Sequence, residues 1–197
     1  EVRQKWESLR DRLVGTDLHS RLVRYVGMNL IEDRMDDNGK VTSQHDEIVS
    51  QLADEASRNP EIILTELTWL FSSDSPHVYN FGLQIGRRDA HFILLPEITR
   101  HLDAAGESLN LYFVGGYLRA FREKYPDRWE DLLDTFTSSE KLKGLIPELT
   151  RRSGFLSERS AQRILRLLLE KSIEPGQLMH FAYGQATNQV NEVTVIE

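Results

Sequence analysis

An all-α fold of stacked antiparallel helical hairpins, about nine or ten helices in all, is what this sequence predicts. Three observations predict it. Apolar residues recur at intervals of three and four through most of the chain, as at Leu18, Leu22, Tyr25 and Val26 or at Val114, Tyr117, Leu118 and Phe121. Helix-start signals recur as well: Asn59-Pro60-Glu61, Ser75-Pro76, Pro126, Ser157-Glu158 and Pro175, each pairing a cap or a first-turn proline with the residues that follow. Alternating strand patterns are missing from the sequence, apart from some β character in the tail after Asn191.

Taken in order, Trp6, Leu9 and Leu13 mark a first helix. Asp17 or Thr16 caps a second, which runs through Leu18, Leu22, Tyr25 and Val26 toward Leu30. The polar stretch Glu32 to Ser43, with Asp37-Asn38-Gly39, reads as a turn or mobile loop. Ser43 with Asp46 resembles a capping arrangement ahead of Ile48, Val49, Leu52, Ala53 and Ala56. The helix opened by Asn59-Pro60 carries Ile62, Ile63, Leu67, Trp69, Leu70 and Phe71; it is apolar nearly all round and is expected to sit centrally. The next helix, after Ser75-Pro76, carries Val78, Tyr79, Phe81, Leu83 and Ile85, and its Gly82 and Gly86 point to packing.

A helix over His91 to Ala105 contains Pro96, which either kinks or divides it. Gly115-Gly116 lies inside the following one, where glycine costs about 1 kcal/mol per residue against alanine. Close approach of a neighbouring helix, or a kink, accounts for the pair. Helices over Pro126 to Phe136, Glu140 to Arg152 and Glu158 to Lys171 follow, and Pro175 opens a short last one with Leu178, Met179 and Phe181. Trp6, Trp69 and Trp129 each fall on an apolar stripe and are assigned to the core. The organisation expected is residues 1–58 as N-terminal helices with an acidic loop, 59–184 as a repeat-like region, and 185–197 as a linker and the start of a following element, all one continuous domain.

Composition narrows the chemistry. With 197 residues the chain can bury a full core without metals or disulfides. It has no cysteine, which excludes disulfide scaffolds, Cys-ligated zinc and thiol nucleophiles. No apolar run approaches the roughly 20 residues of a membrane span, and no signal peptide opens the chain. A cytoplasmic location and no membrane partner are therefore expected. The first residue, Glu1, and the apolar end Val193 to Ile196 suggest a segment excised from a longer protein.

Net charge is −7, which argues against a general nucleic-acid binder. The charge is uneven, with ten acids and three bases between Glu32 and Glu66, but eight bases and three acids between Lys141 and Lys171. Arg151, Arg152, Arg159, Arg163 and Arg166 form the one basic cluster and are the candidate binding residues. Arg159, Arg163 and Arg166 are helix neighbours by spacing. The cluster can grip phosphate or an acidic partner face; the plainer alternative is a solvated face paired with Glu158 and Glu170.

One internal likeness stands out. Leu94-Leu95-Pro96-Glu97-Ile98-Thr99-Arg100-His101 matches Leu145-Ile146-Pro147-Glu148-Leu149-Thr150-Arg151-Arg152, separated by 51 positions. With Asp103 and the helix through Val114 and Leu118, the stretch Asn59 to Glu174 resembles a HEAT-like or armadillo-like α-solenoid. The resemblance implies repeated units, each hiding its apolar face against the next. The alternative is a chance likeness between two helices of a non-repetitive domain.

Other motifs are weaker. His19 within Leu18-His19-Ser20, His45-Asp46 and a later Asp89 or Asp103 resemble the HD phosphohydrolase pattern, which implies a divalent metal held by His and Asp. Here Ser43-Gln44 precede the His-Asp pair, at a helix start rather than the end of an apolar helix. An EF-hand reading of Asp36-Asp37-Asn38-Gly39 fails, because Arg34 and His45 then fall at positions that need oxygen ligands. No catalytic residue, metal ligand or cofactor is assigned. The leading expectation is a non-catalytic scaffold or sensor module that binds a protein partner or another domain of its parent chain. The alternatives are nucleic-acid or phosphate binding through the arginines, and the HD-type hydrolase.

Overall fold

The structure is a computed structural model, and it describes residues 5, 15, 17–27, 33–35, 41–72, 76–104, 109–154, 156–181 and 190. The helix expected through Trp6, Leu9 and Leu13 lies outside the described residues, as do the linker expected from Gln185, apart from Val190, and the C-terminal β-like tail. Among those described, nine α-helices build the molecule, so the all-α expectation holds.

Helix α1 (Leu18–Leu22) begins where Asp17 supplies its cap, the carboxylate accepting a bond from the Ser20 amide at 3.0 Å. It runs directly into a wide π-type turn over Val23–Gly27. The expected loop at Glu32 to Ser43 is corrected: its ends form two short strands, β1 (Asp33–Met35) and β2 (Val41–Ser43), paired antiparallel with Asp33 opposite Ser43.

Helices α2 (Gln44–Ser57), α3 (Pro60–Ser72) and α4 (Pro76–Arg88) follow. Helix α5 (Leu95–Ala104) is shorter than expected. Pro96 neither kinks nor divides it; it stands in the first turn, where its missing N–H costs nothing. The residues before it, from Asp89, form a turn closed by the Asp89 carboxylate, which accepts from the amides of Ile93 at 2.8 Å and Leu94 at 3.0 Å. Phe92 in that turn adopts φ 53°, a conformation that costs an L-residue roughly 1–2 kcal/mol. Its buried ring is held by Tyr117, Phe121 and Tyr125, with centroids 4.8 to 5.9 Å away.

Helices α6 (Tyr112–Lys124), α7 (Pro126–Phe136), α8 (Ile146–Arg152) and α9 (Glu158–Leu169) complete the set. A 3₁₀ turn at Lys143–Leu145 occupies part of the stretch expected to be one helix from Glu140. Pro147, like Pro96, lies at a helix start rather than inside a helix. Ser157 caps α9, its hydroxyl accepting from the Ser160 amide at 3.0 Å. A second 3₁₀ segment spans Pro175–Phe181.

The most central helix is α6, not the apolar α3. Phe113 through Leu118, Ala120 and Phe121 are all buried in α6, whereas α3 buries Ile63, Leu67, Leu70 and Phe71. The glycines decide this. A Cβ at Gly116 would lie 2.0 Å from the Tyr79 carbonyl oxygen, and one at Gly82 would lie 2.2 Å from that of Phe113. Backbone therefore meets backbone between α4 and α6, the close approach expected of Gly115-Gly116. Helix α4 also packs on α2, while α6 packs on α3, α7 and α8, and α9 packs on α7 and α8. One apolar cluster runs continuously from Leu22 to Phe181. Trp129 is fully within it and Trp69 is packed at its margin. No helix among the described residues is long and apolar enough to cross a membrane.

Candidate functional site

The basic cluster is where sequence and structure meet, and the fold divides it in two. Arg163 projects from α9 toward α7 with its side chain only 1% exposed. Its Nη2 donates to Glu130 Oε2 at 2.7 Å and to the Glu130 carbonyl at 3.0 Å, and its Nε donates to Asp134 Oδ1 at 2.6 Å. Glu130, itself buried, also accepts from the hydroxyls of Ser157 and Ser160. Arg159 lies at the surface above this pair, donating to Asp131 at 2.8 Å and from Nε to Asp134 at 3.0 Å. Burial pushes the Asp134 carboxyl up, but the hydrogen bonds from Arg163 and Arg159 outweigh it and hold the group below the ordinary aspartate range.

Arg151 and Arg152 end α8 and share Glu148. Arg151 grips it with two bonds, 2.7 Å from Nε and 2.6 Å from Nη2, and Arg152 Nε lies 2.7 Å from the same carboxylate. Arg152 also lies over the Tyr112 ring at 4.0 Å, and its backbone carbonyl accepts from the Tyr79 hydroxyl at 2.8 Å. Against the penalty of burial, the two arginines hold the Glu148 carboxyl below its usual value.

Arg166 is exposed and makes no ion pair with any described residue. Among the described residues, the acids that meet Arg151, Arg152, Arg159 and Arg163 are Glu148 and the α7 residues Glu130, Asp131 and Asp134. Glu158 accepts from Gln162 at 3.1 Å. Helix spacing brings Glu148 to Arg151 and Arg152, while the α7 acids lie 25 to 33 positions from Arg159 and Arg163. The signal for them was present, since Glu130, Asp131 and Asp134 fall on one face of α7 by their own spacing.

Beside the buried pair, an open groove of 530 Å³ is lined by Arg122, Pro126, Trp129, Ser157, Glu158 and Arg159 among others. Its charged walls are of both signs. A smaller recess of 130 Å³ lies between α3, α4 and the turn at Asp89, with Pro60, Ile63, Ile85 and Leu94 as its apolar walls. Among the described residues, three large apolar side chains stay outside the core: Ile93 at 60%, Leu169 at 84% and Met179 at 61% exposure.

No protein-family model, curated protein or solved structure matches the chain.

The residues of the HD-like pattern are dispersed. His19 Nδ1 lies 2.7 Å from Glu66, His45 bonds the Tyr25 carbonyl, Asp89 caps its turn, and Asp103 accepts from the Ser139 hydroxyl at 2.8 Å. No group of three or more His, Asp or Glu side chains among the described residues is placed to hold a metal ion.

Proposed function

We propose that this chain is a non-catalytic helical scaffold or sensor module that binds a protein partner or another part of its parent chain. The observation that carries the reading is on α9. Leu169 is 84% exposed, and Arg166, three positions earlier on the same helix, is exposed and unpaired among the described residues. Arginine and methionine beside exposed aliphatic area are the composition of protein interfaces, and Met179 adds a second exposed apolar side chain further along. The other four candidate arginines support a protein partner over a polyanion, because carboxylates already neutralise them. A phosphate backbone would have to compete with those acids. We read the succession in which α2 packs on α4, α4 on α6 and α6 on α8 as stacked hairpins, which leave an extended outer surface for recognition.

Photocrosslinking in cells tests this. A photoreactive residue at position 169 or 166 is expected to capture a polypeptide at least about tenfold more efficiently than one at the exposed Gln51 or Asp54, a difference of about 1.4 kcal/mol in occupancy. Equal labelling at the two surfaces overturns the reading. Capture of nucleic acid at Arg166, with binding that falls steeply as salt rises, replaces it with the phosphate-binding alternative.

A further inference from the structure

Two histidines outside that surface form an arrangement that the partner-binding reading does not use. His45 and His77 are the second residues of α2 and α4, and their rings lie 3.6 Å apart between centroids with a tilt of 36°. His45 is 8% exposed. Its Nε2 lies 2.5 Å from the carbonyl oxygen of Tyr25 in the Val23–Gly27 turn. A carbonyl only accepts, so Nε2 carries the proton and Nδ1 is the bare nitrogen. That Nδ1 is buried with no partner. A second proton there would create a buried cationic N–H without an acceptor, a costly state.

The surroundings oppose charge on the His77 ring. Both histidines sit in the first turn of a helix of 13 or 14 residues, where the macrodipole disfavours cations. Two imidazoliums at this separation would repel each other. Burial first, then the neighbouring His45, lowers the pKa of His77, against an opposite pull from Asp46. Asp46 is exposed and accepts a bond from Asn80 at 3.0 Å. On the turn itself the charged group is Arg24, buried against the Tyr25 ring at 4.6 Å. The turn packs on both α2 and α4, so the histidine pair stands where three elements join.

We infer that the His45–His77 pair is an acid-sensitive latch: it holds the Val23–Gly27 turn on α2 and α4 while both rings are neutral, and frees the turn when they are protonated. The sign follows from the geometry. A proton added to the pair would put a buried cation against the facing ring, with no acceptor at His45 Nδ1, so the latch is closed while the rings are neutral and opens as pH falls. Helix α1 stays in place, since Arg21 grips Glu55 at 2.6 and 3.1 Å and His19 faces Glu66 at 2.7 Å.

Amide hydrogen exchange on the full chain, corrected for intrinsic rates and compared at about pH 7.5 and 5.5, reads the latch. Protection over Val23–Gly27 is expected to fall about tenfold or more at the lower pH, while protection in α6 changes less than about twofold. His77→Phe keeps a ring in place but removes one of the two titrating groups, and it is expected to reduce the fall clearly below that of the parent. Nuclear magnetic resonance titration of the unaltered chain supplies an independent measure: the His77 ring is expected to titrate below its value in the denatured chain. An equal loss of protection in α6, no loss in the turn, an unchanged acid response in the His77→Phe chain, or a His77 ring that titrates as in the denatured chain each overturns the proposal.

Discussion

Replacing Gly116 by alanine is expected to destabilise the protein by at least about 3 kcal/mol, the upper range for overpacking a closely fitted core. On an ordinary helix the same change stabilises, because alanine is favoured over glycine by about 1 kcal/mol. Here the added methyl would stand 2.0 Å from the Tyr79 carbonyl oxygen and 2.7 Å from the Leu83 amide nitrogen. Both are backbone atoms of α4, and neither can rotate away. The two helices must separate, and Phe81, Phe113 and Tyr117, all fully buried, lose their fit with them.

The neighbouring glycines grade the effect. Gly82→Ala meets the Phe113 carbonyl at 2.2 Å and is expected to match Gly116→Ala. Gly86→Ala meets the Ala120 Cβ at 2.7 Å and the Tyr117 carbonyl oxygen at 2.9 Å, a smaller intrusion expected to cost about 1–2 kcal/mol. Gly144 has nothing within 4 Å, and its alanine variant is expected to stay within about 0.5 kcal/mol of the parent. Denaturant midpoints followed by circular dichroism give the order. A Gly116→Ala chain as stable as its parent would mean that α4 and α6 do not lie backbone to backbone.

These glycines also show where sequence reasoning stops. Gly115-Gly116 announces that something approaches closely, but the partners, Tyr79 to Leu83 of α4 for Gly116 and Arg152 of α8 for Gly115, are fixed only by tertiary packing. Local chemistry was legible throughout. Asp17, Ser157, Pro60 and Pro126 mark helix starts because a cap or first-turn proline acts on residues at most a turn away. Pro96 reads as internal to a helix because the apolar periodicity continues upstream through Phe92, which packs inward from a turn rather than from a helix. The arginine cluster was visible as charge, whereas its neutralisation was not, since Glu130 and Asp134 reach it from another helix. Nothing in the residues names a reaction, and the dispersal of His19, His45, Asp89 and Asp103 follows from long-range contacts that no spacing rule encodes.

That neutralisation leads to the second large effect. Arg163→Met is expected to cost about 3–5 kcal/mol, the usual result of removing one partner from a buried ion pair. The Glu130 carboxylate would remain buried with only the Ser157 and Ser160 hydroxyls to solvate it. The cost lies in the abandoned charge, so removing the charge as well should recover much of it: Arg163→Met with Glu130→Leu is expected to regain at least about half, because well-packed apolar replacements of buried pairs are often neutral. Arg166→Ala, which breaks no ion pair among the described residues, is the surface control and should change stability by less than about 0.5 kcal/mol. The pH dependence has a definite sign. The Asp134 carboxyl is depressed by Arg163 and Arg159 against the opposing effect of burial, so its contribution is present above the unfolded value of about 3.9 and is lost as pH falls through its lower native value. The difference between parent and Arg163→Met should therefore be widest near neutrality and narrow in acid, in urea titrations at about pH 7 and 3. A variant that loses less than about 1 kcal/mol at neutral pH, or a gap that widens in acid, would mean that Arg163 is not what holds α7 against α9.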